Sequence, residues 1–312
     1  MGDYTKLTIS EIADIFELYS TDSIESFRAL SLGISNSNYE IITLKSKYLL
    51  KVSNDKNKDQ VLDEMKILEE LRKNHYKYSI VPIKTLTGEL VYEKADLYGV
   101  LFPFIDGIPP GPGDTTCFEI GMALAMLHQT KTNNSGLRPS EELSYPASII
   151  SDYSSSQSCP EDFKDLLTNL LQDRLAKYLQ TDFQKGIIHG DLYYDNTLFH
   201  NDHIVAVLDF EQSGVGEFIL DLGISISGSC LEKGRISLPL MESYLTGYES
   251  IRPLPTIEKQ FLNDAVILGL FSIALWRIKR FKEGTLNPLM ADSYKQLLYR
   301  AEIFKQTVES ND

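Results

Sequence analysis

The sequence predicts an α+β protein of two lobes, a small antiparallel sheet carrying one long helix and then a larger, mainly helical lobe. Three observations lead there. Short runs rich in β-branched and aromatic residues dominate up to about residue 105. Beyond Asp106-Gly107 the apolar residues recur at helical spacing. Between the two regimes, Pro109, Pro110, Gly111, Pro112 and Gly113 mark a stiff connection. The expected division is residues 1–101 as the first lobe, 102–107 as a hinge and 108–312 as the second. With 312 residues, 43% of them hydrophobic, the chain can fill a core in each.

Thr8-Ile9-Ser10-Glu11 has the form of a capping box and opens a helix to about Tyr19. A strand follows over Ser26 to Leu32, then the loop Gly33-Ile34-Ser35-Asn36-Ser37-Asn38. Tyr39 to Leu44 and Tyr48 to Val52 flank Lys45-Ser46-Lys47 as a hairpin. Val61, Leu62, Met65, Leu68 and Leu71 keep helical spacing to about Lys73. Val81 to Leu86, Glu89 to Tyr92 and Tyr98 to Phe104 complete the strands of this lobe. In the second lobe, helices are expected over Thr116 to Gln129, Glu161 to Gln180, Leu238 to Tyr248, Ile257 to Lys282 and Ala291 to Glu309. Thr197 to Phe199 and Ile204 to Phe210 form two short strands joined by His200-Asn201-Asp202-His203, and the polar patch Ser151 to Ser158 reads as a loop. Ala265 to Trp276 is the most apolar segment, well short of the roughly 20 residues that span a bilayer, so a buried helix is expected.

A net charge of -14 and a pI near 4.9 repel phosphate backbones, which argues against a nucleic-acid partner. Cys117, Cys159 and Cys230 are odd in number and widely spaced, as reduced thiols are. Asp3 and Lys6 interrupt any apolar run at the start, and Lys6 stands where a myristoylation signal needs Ser or Thr. The expectation is a cytoplasmic enzyme, monomer or homodimer, without a membrane partner.

The chemistry is concentrated in Gly186-Ile187-Ile188-His189-Gly190-Asp191-Leu192-Tyr193-Tyr194-Asp195-Asn196, followed by Val207-Leu208-Asp209-Phe210. Phosphoryl transfer from a metal nucleotide needs a carboxylate to orient the attacking hydroxyl, and an amide and a second carboxylate to hold Mg²⁺. Asp191 takes the first role, Asn196 and Asp209 the second. Singly, each is an ordinary turn residue; the spacing H-x-D-x4-N with a later D-F is what specifies a kinase. His189 reads as a brace for the loop, Asp221 as a brace or a helix cap, and His128 as a helix C-terminal residue suited to the dipole.

Three features of the first lobe fit ATP. Lys51, at the end of a strand, can meet the α and β phosphates. Glu64 falls within the apolar stripe of the following helix, where a buried carboxylate needs a cation, and Lys51 is the candidate. Ser35, Asn36, Ser37 and Asn38 supply donors over the phosphates. Phe102 to Ile105, with Phe102 and Phe104, form the hinge whose backbone meets adenine, and the nucleotide is expected between the lobes.

His189-Gly190-Asp191-Leu192 with Asn196 and Leu208-Asp209-Phe210 resembles the aminoglycoside phosphotransferase and choline kinase superfamily, which has a bilobal protein-kinase-like fold. Protein kinases carry Arg where Gly190 stands and Gly where Glu211 stands. The nearest resemblance is to bacterial type II homoserine kinases, through Asn36-Ser37-Asn38-Tyr39, Asp191 to Asn196, Gly247-Tyr248-Glu249-Ser250-Ile251-Arg252-Pro253-Leu254 and Glu258. Those kinases often carry an Arg-Phe-Trp run where this chain has Leu270-Phe271-Ser272. The resemblance implies ATP- and Mg²⁺-dependent phosphorylation of a small-molecule hydroxyl acceptor, homoserine first. Tyr193, Tyr194 and Asp195 would line the acceptor pocket, and Arg252 or Arg277 would meet an amino-acid carboxylate. Choline, hydroxylysine or an aminoglycoside are the alternative acceptors. A catalytically silent nucleotide-binding regulatory module is the alternative of another class.

Overall fold

Thr8 caps the first helix as its spacing with Glu11 dictates. Its Oγ1 accepts the Glu11 N–H at 3.3 Å, and the Glu11 carboxylate accepts the Thr8 N–H at 2.7 Å. The computed structural model describes residues 5–30, 36–54, 56–131, 136–139, 144–284 and 287–311. Internal contacts divide the chain into two compact units, Met1–Asp106 and Gly107–Asp312.

The first unit comprises α1 (Ile9–Phe16), β1 (Ile24–Leu30), β2 (Asn36–Thr43), β3 (Lys47–Ser53), α2 (Lys58–Lys73), β4 (Tyr92–Lys94) and β5 (Leu97–Pro103). The strands form one antiparallel sheet in the order β1-β2-β3-β5-β4. Because side chains alternate, Tyr39, Ile41, Leu50, Val52 and Leu101 share one core with Ile12, Ile15 and Phe16 of α1. Lys51, between Leu50 and Val52, therefore projects from the opposite face. Helix α2 starts at a second capping box, Asn57 with Gln60, and buries Val61, Glu64, Met65, Leu68 and Leu71.

The expected strand Val81 to Leu86 does not form. Only Ile83 bridges Leu101, donating its N–H at 2.8 Å, since Pro82 has no N–H to extend a ladder. Glu89 also lies outside a strand: its N–H bonds Thr85 Oγ1 in a turn at 3.0 Å, and β4 begins at Tyr92. The end of the expected strand Ser26 to Leu32, and Gly33 to Ser35 of the loop, lie outside the described residues.

The second unit comprises α3 (Asp114–His128), α4 (Ala147–Ser154), α5 (Glu161–Leu179), β6 (Lys185–Ile188), β7 (Thr197–His200), β8 (His203–Val207), β9 (Gly214–Glu217), α6 (Phe218–Ser229), β10 (Leu231–Glu232), β11 (Arg235–Ile236), α7 (Leu238–Glu249), α8 (Thr256–Arg277) and α9 (Lys295–Glu309). Helix α8 runs on into a π-turn, Ile278–Lys282. The combined segment is 27 residues long and apolar enough to cross a membrane by length and composition, but 78% of its most apolar window is buried in the unit. It is the central core helix, packed on α6 so closely that a Cβ on Gly223 would stand 2.2 Å from Ala265 O.

Two pairings set up the functional region. Strand β6 pairs with β9, and β7 with β8. The β7–β8 turn uses Asn201 and Asp202 at φ 48° and 63°, the left-handed conformation a two-residue hairpin requires. Helix α4 occupies part of the patch expected to be a loop; Ala147, Ile150 and Tyr153 bury a narrow stripe that the intervening polar residues mask. Helix α6 escaped the helix assignment because it is buried on almost every side, so it shows no amphipathic period.

Candidate active site

The loop leaving β6 has its polar backbone groups accounted for one by one. His189 N and Gly190 N each donate to a different oxygen of the Asp221 carboxylate, both at 2.8 Å. Asp191 N donates to His189 Nδ1 at 3.2 Å, which leaves the proton on Nε2, and Nε2 donates to Leu208 O at 2.9 Å. The imidazole thus ties the Asp191 backbone to the residue before Asp209. Ser213 Oγ holds His189 O at 3.1 Å, and Ser225 Oγ holds Leu192 O at 2.5 Å. Gly190 sits at φ 78°, and a Cβ there would stand 2.0 Å from Ser144 Oγ and 2.5 Å from Gln212 O. No larger residue fits this turn.

The motif residues converge within this frame. Asn196 Nδ2 donates to Asp191 O at 2.7 Å and to Asp191 Oδ2 at 3.2 Å, leaving Oδ1 as its acceptor atom. Leu208 N donates to Asn196 O at 2.8 Å, which sets Asp209 beside Asn196 at the base of the β7–β8 hairpin. Asp209 itself has φ 57°, ψ 66°, a strained left-handed conformation of the kind found at functional sites. Arg138 fixes the following turn, donating to Phe210 O, Glu211 O and Ser213 O at 3.2, 2.7 and 2.8 Å.

Burial pushes the Asp191 carboxyl well above the usual carboxylate range, and the charges of Asp209, Asp195 and Glu211 add to it, against the Asn196 hydrogen bond. Such an excess of negative charge is what a divalent cation offsets. Asn196 Oδ1 and the Asp209 carboxylate are hard oxygen donors of the type Mg²⁺ takes. Among the described residues no three His, Cys, Asp or Glu side chains form a closed cage. Mg²⁺ needs none, since it is bound by one or two carboxylates together with water and phosphate oxygens. The donor set fits the ion.

In the first unit, Asn36, Asn38, Lys51 and Phe102 lie on one face of the sheet, as their register requires: Asn38 is opposite Lys51, Asn36 opposite Ser53, and Phe102 opposite Leu49. Asn36, Lys51, Lys56, Glu64 and Gly99 line a small pocket there. Glu64, buried on α2, takes Lys51 Nζ at 3.5 Å and Lys56 Nζ at 3.4 Å. The sequence had suggested Lys51 alone. Phe104 donates its N–H to Lys47 O at 3.1 Å, so this N–H is already engaged by the strand.

Residues 26–254 match the model of a phosphotransferase enzyme family known as APH. The chain belongs to that family. This phosphotransferase is 24% identical to a homoserine kinase of Methylobacterium radiotolerans, over 83% of this chain and 81% of the relative, and 27% identical to one of Agrobacterium fabrum, over 84% and 82%. Among solved structures it is similar to a microcompartment-associated aminopropanol kinase, with a TM-score of 0.71, 20% identity and coverage of 97% of this chain and 98% of that one. It is also similar to an amicoumacin kinase solved with AMP-PNP and Ca²⁺, with a TM-score of 0.71, 16% identity and coverage of 96% and 94%. These likenesses establish the kinase-like fold, and with the family they make the chain a small-molecule kinase.

Two residues expected at the site of the phosphotransferase stand elsewhere. Arg252 is buried and engaged on both prongs: Glu258 accepts from Nη1 and Nη2 at 2.7 Å each, Tyr248 Oη from Nη1 at 3.0 Å and Gln184 Oε1 from Nη2 at 2.6 Å. Its guanidinium is saturated by the protein, so it is not a carboxylate receptor. Ser37 alternates away from Lys51 and is fully buried, its Oγ accepting from Thr5 N at 2.8 Å and Asn54 Nδ2 at 3.0 Å. Ser35 lies outside the described residues.

Behind the loop lies a buried chain of polar residues. His128 closes α3 as expected, and it also has a buried role. It is wholly buried, with Nε2 3.0 Å from Asp221 Oδ2 and Nδ1 2.6 Å from Tyr248 Oη. A chain of hydrogen bonds therefore runs Glu258, Arg252, Tyr248, His128, Asp221 and into the catalytic loop. Burial raises the pKa of Asp221, but the hydrogen bonds from His128 and from the His189 N–H outweigh it and hold the carboxyl below its usual value. Of the two readings of Asp221, the brace holds, since Glu217 stands at the start of α6; the convergence of Glu258, Arg252, Tyr248 and His128 on it needed the fold. Tyr193 and Tyr194 are partly buried in the loop, while Asp195 is exposed.

Proposed function

We propose that this phosphotransferase moves the γ-phosphate of ATP, held with Mg²⁺, to the hydroxyl of a small metabolite, with homoserine the leading acceptor. The observation that carries the reading is the hydrogen-bonded pair Asp191–Asn196 at 3.2 Å, set beside Asp209. Asp191 receives the acceptor hydroxyl in a hydrogen bond and orients its oxygen; a carboxylate is a weak base toward an alcohol, so position and charge matter more than early proton removal. Asn196 and Asp209 would hold Mg²⁺, which when bound neutralises charge on the phosphate oxygens. Lys51, steadied by Glu64, takes the α and β phosphates, and the backbone from Phe102 to Ile105 meets the base. Homoserine is favoured by the curated relatives, which match over four-fifths of their own length and carry that name.

The test is ADP release from Mg-ATP across homoserine, choline, hydroxylysine, methylthioribose and aminoglycosides, with acceptor-free hydrolysis subtracted. Homoserine should give the highest kcat/KM. Asp191→Asn should still bind nucleotide while turnover falls by about 10²- to 10⁴-fold. An Asp191→Asn enzyme of normal activity refutes the role assigned to that carboxylate. Tight ATP binding with no acceptor phosphorylated would make the chain a regulatory nucleotide-binding module.

A further inference from the structure

Two guanidinium groups beside the catalytic loop have no part in the chemistry so far described. Arg277, in the last turn of α8, donates Nη1 to Ser293 O at 2.9 Å. Arg300, on α9, donates Nε to Gly234 O and Nη1 to Ser227 O, both at 3.2 Å. All three acceptors are neutral carbonyls, and among the described residues neither arginine has a carboxylate partner. Both are partly buried, and burial lowers the pKa of each; Arg300 also feels the charge of Arg277. Two neighbouring cations withdrawn from water without a counter-ion are costly, unlike Arg252, which Glu258 neutralises.

The groups around them are short of partners too. Tyr193 Oη and Ser293 Oγ are buried with no hydrogen bond among the described residues. Ser227 Oγ is the one side chain near enough to the Tyr193 hydroxyl to interact with it among the described residues, and it gives its own hydrogen bond to Ile224 O at 2.7 Å. The Tyr193 ring lies flush on Gly228, where a Cβ would come within 2.0 Å of a ring carbon, so the ring is held over α6 with its hydroxyl within reach of the Arg277 and Arg300 charges. Tyr193 is two residues from Asp191, whose charge also reaches Arg277. Two unneutralised guanidinium groups and a buried tyrosine hydroxyl whose proton no carboxylate takes, close to the carboxylate that orients the acceptor, describe a receptor for an anion.

We propose that Arg277 and Arg300 receive the carboxylate of the acceptor, with Tyr193 Oη as a further donor, and so select hydroxyl compounds bearing a carboxylate over amino alcohols and cationic sugars. The inference rests on the reading of Asp191 as the acceptor-orienting group. A nucleotide phosphate is the other source of anionic oxygen, but Arg300 bonds Ser227 O, next to the Gly228 on which Tyr193 packs, and Arg277 and Arg300 both feel Tyr193, whereas Asn196 and Asp209 occupy the hairpin base.

Steady-state kinetics on a matched pair decides the matter: L-homoserine, and 3-aminopropan-1-ol, which is the same molecule without its carboxylate. Wild type should favour homoserine, and Arg300→Met or Arg277→Met should raise its KM by about 30-fold or more, collapsing the preference between the two acceptors. Arg300→Lys should restore part of it. An unchanged homoserine KM overturns the inference, as does a defect confined to the KM for ATP, which would assign the arginines to phosphate. If homoserine is ignored while another hydroxy acid is phosphorylated in an Arg300-dependent way, homoserine falls and the carboxylate site stands. Binding is read independently of turnover with L-2-aminobutyrate, which keeps the carboxylate and lacks the hydroxyl. It should raise the Tm of wild type and not of Arg300→Met; equal shifts in both count against the site.

Discussion

The two units hold their functional charges in different ways. In the second, the Asp221 carboxylate accepts two loop N–H groups at 2.8 Å and faces His128 at 3.0 Å, with Glu258 and Arg252 joined twice at 2.7 Å farther along the chain of bonds. In the first, Glu64 stands between Lys51 and Lys56 at 3.5 and 3.4 Å, and the lysine side chains keep 16% and 15% of their surface in water. Short, buried and multiply bonded contacts fix an orientation before any ligand arrives. Long shared ion pairs on flexible stems hold a lysine in place while leaving its ammonium able to shift toward a phosphate. The loop after β6 is preorganised, whereas Lys51 keeps room to move.

The contrast is broken most directly at Asp221. Asp221→Ala leaves two buried N–H groups and the His128 imidazole without their acceptor, and each unsatisfied group costs about 1–3 kcal/mol. Denaturant unfolding should show a loss of about 3–5 kcal/mol, with turnover falling as the loop relaxes. A loss under about 1 kcal/mol would mean that the loop keeps its shape without the carboxylate.

Glu64→Gln probes the other side and should act on function more than on folding. The amide keeps one acceptor for the lysines but removes their counter-charge, so the KM for ATP should rise several-fold. The contacts are long, at 3.5 and 3.4 Å, and the amide oxygen still accepts from the lysines, so the loss of folding stability should be no more than about 1–2 kcal/mol. ATP titration with a Tm measurement on the same sample checks both. Destabilisation as large as that of Asp221→Ala would erase the distinction between the units.

Much of the frame was legible in sequence because local chemistry determines it. The capping box at Thr8, the hairpin around Lys45 and the two-residue turn at Asn201-Asp202 are specified by residues within a few positions of one another. Asp191, Asn196 and Asp209 were visible because their spacing along a loop and its neighbouring hairpin is itself the signal. What stayed hidden depends on burial or on long-range pairing. Helix α6 has no polar face to reveal a period, and Pro82 ended a strand that composition favoured. Arg252 had the right charge for a substrate carboxylate, but Glu258, six residues on, claims it. Ser37 shared its neighbours' composition, yet the alternation of β2 turned it to the other face.

The smallest expected effect is a slope with pH, and it sharpens the same contrast. Burial pulls the His128 pKa below its ordinary 6.5, against the opposing pull of Asp221, so the folded protein keeps this imidazole neutral where the unfolded chain would protonate it. Its contribution is therefore fully present above about pH 6.5 and is lost as pH falls through the lower, folded value. Asp221, held below 3.8, adds its own loss only in stronger acid. Between pH 7.5 and 5 the Tm of wild type should decline on this account, and His128→Gln, which can still hydrogen-bond Asp221 without taking up a proton, should flatten the decline while lowering the Tm at neutral pH. Parallel profiles for the two proteins would show that the buried chain from Glu258 to the loop fixes geometry without responding to protons.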